Sequence, residues 1–167
     1  MQDLYNTHFQ NPEKIGVGLA ANQIGHRYRV FLANISEEAA KNRGAEPLDV
    51  SFWMNPTYKP IGNQANLAPE GCFSVPGMFD REVKRFNTVK VDTQQIEFAK
   101  SKDNRLSISA IHLLSLELSD FQAQLFQHEI DHIDPERPKF YFECMEGGIE
   151  ALEPIENYNA ALKKEKS

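Results

Sequence analysis

With 167 residues, 41% hydrophobic and 25% charged, the chain has the length and composition of one globular domain with a buried core. No apolar run approaches the roughly 18 residues of a membrane-spanning helix, and the start Met1-Gln2-Asp3-Leu4-Tyr5-Asn6 lacks the basic-then-apolar pattern of a signal peptide. A net charge of -6 speaks against nucleic acid as a main partner, and two cysteines, Cys72 and Cys144, are too few for a disulfide framework. The expected setting is therefore cytoplasmic, with Cys72 kept reduced.

In chain order, Met1 to Phe9 reads as the end of a helix broken at Asn11-Pro12. Gly16-Val17-Gly18-Leu19-Ala20-Ala21-Asn22-Gln23 is punctuated by glycines, which let backbone pass close to a neighbour. Tyr28 to Ala33 reads as a strand, Ser36 to Asn42 as a polar turn or short helix, and Ser51 to Met54 as a strand ended by Asn55-Pro56. Glu70-Gly71-Cys72-Phe73-Ser74 is a constrained turn that aims a short thiol. Strands follow over Arg85 to Val91 and Ile96 to Phe98, with a turn at Lys102-Asp103-Asn104.

Alternating apolar residues from Leu106 to Leu118 predict one long half-buried strand or a bent pair. His112 falls on the apolar side, which makes it a core histidine rather than a ligand. Ser119-Asp120-Phe121-Gln122 has the pattern of a capping box. It opens a helix that runs through Ile133 and stops before Pro135. A tail helix from Gly148 to about Lys163 follows, interrupted at Pro154, and Lys163-Lys164-Glu165-Lys166 is a solvated helix end or a contact for an anionic surface. Strands grouped ahead of one central helix predict an α+β fold, with mainly antiparallel sheets packed around the helix.

That helix carries His128-Glu129-Ile130-Asp131-His132. Histidines four residues apart share one helix face and can reach one divalent metal, with the intervening glutamate placed to move a proton for a bound water. Leu125, Phe126 and Ile130 set the helix against a core. The third ligand stays open between Cys72 and a downstream glutamate, Glu146, Glu150 or Glu153. Gln23 is an oxyanion donor or a plain structural amide.

Together and in this order, the segments Gly16 to Gln23, Glu70 to Ser74 and His128 to His132 resemble the three motifs of the peptide deformylase family. The resemblance covers about residues 1 to 133 and implies one deformylase-like catalytic domain over 1–167. It implies a metal held by Cys72, His128 and His132: Fe(II) natively, with nickel, cobalt or zinc as replacements. Glu129 would be the general acid/base, with Gln23 and the backbone N–H of Phe73 stabilising the oxyanion. A cysteine and two histidines with a fourth position for water form an open, catalytic arrangement. The implied substrate is the N-formylmethionyl end of new polypeptides in a bacterium or organelle, met transiently at the ribosome and bound as an added strand along Gly18 and Gly71. Val17 and Leu125 would line the methionine pocket, and Arg85 matches a basic residue near the substrate.

The chain also departs from the family pattern. Family members usually carry some tens of residues before the glycine-rich motif that are lacking here. Ile133-Asp134-Pro135 replaces a leucine-x-glycine turn, Phe73 replaces a leucine, and Gln124 is polar where an apolar residue often meets the methionine pocket. Two alternatives remain: a zinc peptidase using His128, His132 and Glu150, and a metal- or peptide-binding paralogue that has lost turnover.

Overall fold

A computed structural model describes residues 1–10, 16–136 and 148–157. Two antiparallel sheets embrace one helix. The larger sheet is built from β1 (Gly18–Ala20), β2 (Val30–Ile35), β3 (Leu48–Pro60), β6 (Thr88–Lys100) and β7 (Leu106–Ser119), in the order β1-β2-β3-β6-β7. The smaller one joins β4 (Ala65–Gly71), β5 (Met78–Phe86) and β8 (Glu153–Pro154), with β5 in the middle. The helices are α1 (Gln2–Phe9), α2 (Glu37–Arg43) and α3 (Asp120–Ile133). The expected α+β class is what the chain adopts.

Alternation along the strands divides the core. Phe31 pairs with Trp53, and both belong to the cluster that meets Phe126, Ile130 and Ile133 of α3. The neighbouring pair Leu32 and Phe52 points the other way, into a second cluster with Leu4 of α1, Leu19 and Ile96. Strands covered on both faces need apolar residues at successive positions, which is why Phe31-Leu32-Ala33 and Phe52-Trp53 do not alternate with polar ones. Phe126 meets Phe31 and Trp53 edge to face, with ring centroids 5.2 and 5.0 Å apart, and so anchors α3.

Several local expectations are revised. Asn55-Pro56 does not end its strand: the ladder slips between Met54 and Thr57, Asn55 takes a positive φ, and β3 continues to Pro60 as a bulged strand. Arg85 to Val91 is not one strand, because the chain changes sheets at Asn87. There, the Asn87 N–H donates to Gln64 and its carbonyl accepts from Asp120 N–H. β4 escaped notice because it contains Pro69, which is tolerated at a register shift on the edge of its sheet. Leu106 to Leu118 forms a single strand. His112 is exposed on it, 3.0 Å from Glu97, since β7 is the outermost strand of its sheet among the described residues.

Around α3, Ser119 is the N-cap but its side chain makes no capping bond, and Asp120 has φ 51°, so the expected capping box does not form. Its place is taken by the Asp120 N–H bond to Asn87. Ser36 does cap α2, its Oγ accepting from Ala39 N–H at 3.2 Å. Between Gly148 and Pro154 the chain makes a 3-10 turn (Gly148–Ala151) and then β8 in place of the expected helix; residues 155–157, past Pro154, are helical, and the rest of the expected tail helix lies outside the described residues. Asn11-Pro12, Cys144, Glu146 and the lysines from 163 to 166 lie outside the described residues.

Candidate metal centre and active site

α3 is buried on every side from Leu125 to Ile133, which is unusual for a helix with four charged or ionisable residues in that stretch. Each of them has a task. The first sheet takes Phe126 and Ile130, while His128, Asp131 and His132 turn toward β4, β5 and the Cys72 turn. His132 Nε2 lies 3.2 Å from both Cys72 Sγ and His128 Nε2. One ligand atom from each of Cys72, His128 and His132 lies within 4.8 Å of the others, the one group of metal-ligating side chains of this kind among the described residues. Of the two open answers for the third ligand, the fold brings Cys72. Glu150 is exposed in the 3-10 turn, and Glu153 pairs in β8.

His128 is aimed from behind. Its Nδ1 lies 2.8 Å from Glu70 Oε2, which leaves Nε2 for the cluster centre. Glu70 is in turn gripped by Arg85, whose Nε and one terminal nitrogen donate to its two oxygens at 2.8 and 2.9 Å. The other terminal nitrogen of Arg85 reaches Asp131 at 2.7 Å, and Tyr58 Oη donates to Asp131 at 3.1 Å. Arg85, expected beside the substrate, is 4% exposed and occupied by two carboxylates. Its place is behind the histidine, and residue spacing could not have revealed this because Glu70 and Asp131 are distant in sequence. Burial alone would raise the Glu70 pKa, but hydrogen bonds and charge from Arg85 and His128 overcome it and hold the carboxyl at about 2.

Glu129 faces another way. It is 3% exposed, and its Oε2 has no hydrogen-bond partner. Room for it comes from Gly18, where an added Cβ would fall 2.3 Å from Glu129 Oε1. Burial pushes the Glu129 carboxyl up to about 7, against the pull of the His128 charge. Burial, followed by the charges of His128 and Arg85, lowers His132 to about 3, which keeps its imidazole neutral and able to ligate.

Gln23 sits in the 3-10 turn Ala21–Ile24. Ala20 N–H donates to its Oε1 at 2.8 Å, fixing which end of the amide faces inward, and Nε2 then donates to Cys72 Sγ and Ser74 Oγ, both at 3.1 Å. Phe73 lays its ring against the backbone of Gly16, where a Cβ would be 2.1 Å from the ring. A cavity of about 210 Å³ opens beside Gln23 and Ser74, walled by Thr7, His8, Leu19, Ile24 and Phe73. Val17 packs on the cluster that contains Leu125. Gly71 ends β4 opposite Phe79. Gln124 directs its amide onto Pro69 O and Glu70 Oε1, at 3.1 and 3.2 Å, rather than into an apolar pocket or solvent.

Comparison with known proteins identifies the family. The family model described as polypeptide deformylase matches residues 1–136. Peptide deformylase 1 of Corynebacterium efficiens is 35% identical over 119 residues, 71% of this chain and 58% of the relative. The peptide deformylase of Campylobacter jejuni is 33% identical over 134 residues, 80% of this chain and 65% of the relative. The chain thus spans about three fifths of the length of these relatives. Among solved structures, peptide deformylase from Thermus thermophilus superposes with a TM-score of 0.59 at 29% identity, over 87% of this chain and 70% of that one. The Ehrlichia chaffeensis enzyme in complex with actinonin gives 0.59 at 25% identity, over 87% and 74%.

Proposed function

The chain belongs to the polypeptide deformylase family, and on that premise we propose that it hydrolyses the N-formyl group from the amino-terminal methionine of new polypeptides. The observation that carries this reading is the convergence of Cys72, His128 and His132, with ligand atoms within 4.8 Å of one another. A soft thiolate and two imidazoles, one held by Glu70 and one kept neutral by burial, suit a divalent first-row metal; the reading takes Fe(II) as the native ion, with nickel, cobalt or zinc able to replace it. When bound there, such an ion supplies Lewis-acid polarisation and a lowered pKa for water.

The remaining chemistry belongs to the chain. Glu129, buried with one oxygen unpartnered, accepts the proton of the attacking water. As the formyl C–N bond breaks, it returns that proton to the leaving nitrogen, giving formate and a free amine. Gln23 Nε2 and the backbone N–H of Phe73 stabilise the oxygen that gains negative charge, and the Ala20 N–H bond preorganises the glutamine. β1 and β4 are each the edge of their sheet among the described residues, so a peptide laid along Gly18 and Gly71 gains main-chain partners. Its first side chain goes toward Val17 and Leu125. No helix of the described residues is long and apolar enough to cross a membrane. A cytoplasmic or organellar setting and a transient meeting with the ribosome complete the proposal.

The test is hydrolysis of formyl-Met-Ala-Ser by nickel- or cobalt-loaded protein, with formate as the readout. Glu129→Gln should retain metal and lose roughly 10²–10⁴-fold in kcat. Cys72→Ser should lose both metal and activity. Full occupancy and turnover in Cys72→Ser, or a wild type that takes up metal and releases no formate, would refute the assignment.

A further inference from the structure

The Glu70 carboxylate receives four donors, two at each oxygen. Arg85 Nε and Gln124 Nε2 meet Oε1, at 2.8 and 3.2 Å, while a terminal nitrogen of Arg85 and Nδ1 of His128 meet Oε2, at 2.9 and 2.8 Å. Four is the number of lone-pair sites that a carboxylate offers. Gln124 occupies the fourth, and the same nitrogen also donates to the carbonyl of Pro69 at 3.1 Å. One amide therefore holds two consecutive residues of β4, which ends one residue before Cys72. Gln124 lies four residues before His128, one helical turn away on the same face.

We infer that Gln124 is a positioning residue for the metal centre. It ties the strand that presents the thiolate to the helix turn that presents the first imidazole, and it locks the carboxylate that orients that imidazole. The inference rests on the reading of Cys72, His128 and His132 as a metal site. It assigns the polar residue at this position to metal retention rather than to recognition of the substrate's side chain. An apolar residue there could not donate to Glu70 or to β4, so the spacing between Sγ and the imidazoles would rest on the remaining ties, from Arg85 and His128 to Glu70 and from Gln23 to Cys72. Replacing outer partners of metal ligands typically weakens metal affinity by about 10–100-fold.

The probe is Co(II), whose thiolate charge-transfer band reports Cys72 coordination and whose release to a chelator reports retention. Gln124→Met removes the donor at similar volume, and Gln124→Glu turns a carboxylate toward that of Glu70. Both should release Co(II) at least about tenfold faster than wild type and shift the thiolate band, while the KM ratio between formyl-Met and formyl-Leu peptides stays unchanged. In the wild-type protein, which needs no variant to fold, the side-chain amide signal of Gln124 in 15N NMR should move on zinc loading. Wild-type release rates in the variants, a changed KM ratio with unchanged release, or an amide signal insensitive to zinc would each overturn the assignment. A wild type without the thiolate band would sink the metal reading along with it, whereas a normal wild-type band with indifferent variants sinks this inference alone.

Discussion

Gly18 shows how narrowly single residues are constrained in this molecule. Its missing side chain is the space occupied by the Glu129 carboxylate, and an added Cβ would also come within 2.9 Å of Glu129 Cγ. Because the clash reaches into the stem of the side chain, a rotation of the carboxylate alone cannot relieve it. Gly18→Ala should therefore displace the base and lower kcat by about 10²-fold, the scale of a misplacement near 1 Å. The site of Cys72, His128 and His132 lies outside this contact, so metal content and circular dichroism should stay as in wild type. A variant with normal kcat would show that Glu129 tolerates being moved.

At the scale of elements, the decisive joint lies between α3 and the point where the chain leaves β5. Gln127 is 1% exposed, and its amide substitutes for a strand partner. Phe86 N–H donates to its Oε1 at 3.0 Å, and its Nε2 donates to Phe86 O at 2.9 Å. Both backbone groups at the end of β5 are thereby satisfied by one side chain of the helix. Gln127→Met keeps the volume but removes both partners of the Phe86 backbone groups, a part-buried pair of hydrogen bonds each worth roughly 0.5–1.5 kcal/mol. The expected loss of about 1–3 kcal/mol follows from those two bonds and can be read as a fall in the urea midpoint at constant slope. An unchanged midpoint would mean that water reaches Phe86 in the variant.

For the whole molecule, one way in which pH acts on stability is through His8, which helps wall the cavity beside Gln23. This imidazole of α1 is 8% exposed, and its Nδ1 has no hydrogen-bond partner. Burial lowers its pKa below the ordinary 6.5. With the folded value below the unfolded one, the unfolded chain binds the proton more tightly. The contribution of His8 to stability is thus complete above pH 6.5 and is lost as pH falls through the folded value. Resistance of wild type to urea should therefore fall more steeply than that of His8→Phe as pH drops below 6.5. Parallel curves for the two proteins would show that His8 is solvated in the native state.

Local chemistry was sufficient for much of this. His128 and His132 share a face because a helix places residues four apart together, and Phe126 and Ile130 beside them identify the buried side. The Gly16 to Gln23 and Glu70 to Ser74 segments were legible as approaches to that helix through their similarity to a known family. What the tertiary structure alone decided is which groups stand behind the proposed ligands. Arg85, Glu70, Asp131 and Tyr58 come from β5, β4, α3 and β3, and nothing in their spacing pairs them. Gln124 looked like a pocket wall because its polarity is visible in sequence while its direction is not. A helix register fixes the face a side chain leaves from, but hydrogen-bond partners from another sheet fix where its last atoms go. The same holds for Asn55-Pro56 and for Ser119, where a bulge and a backbone bond from Asn87 replaced the local stop and the local cap, because neighbouring strands supplied what the segment could not.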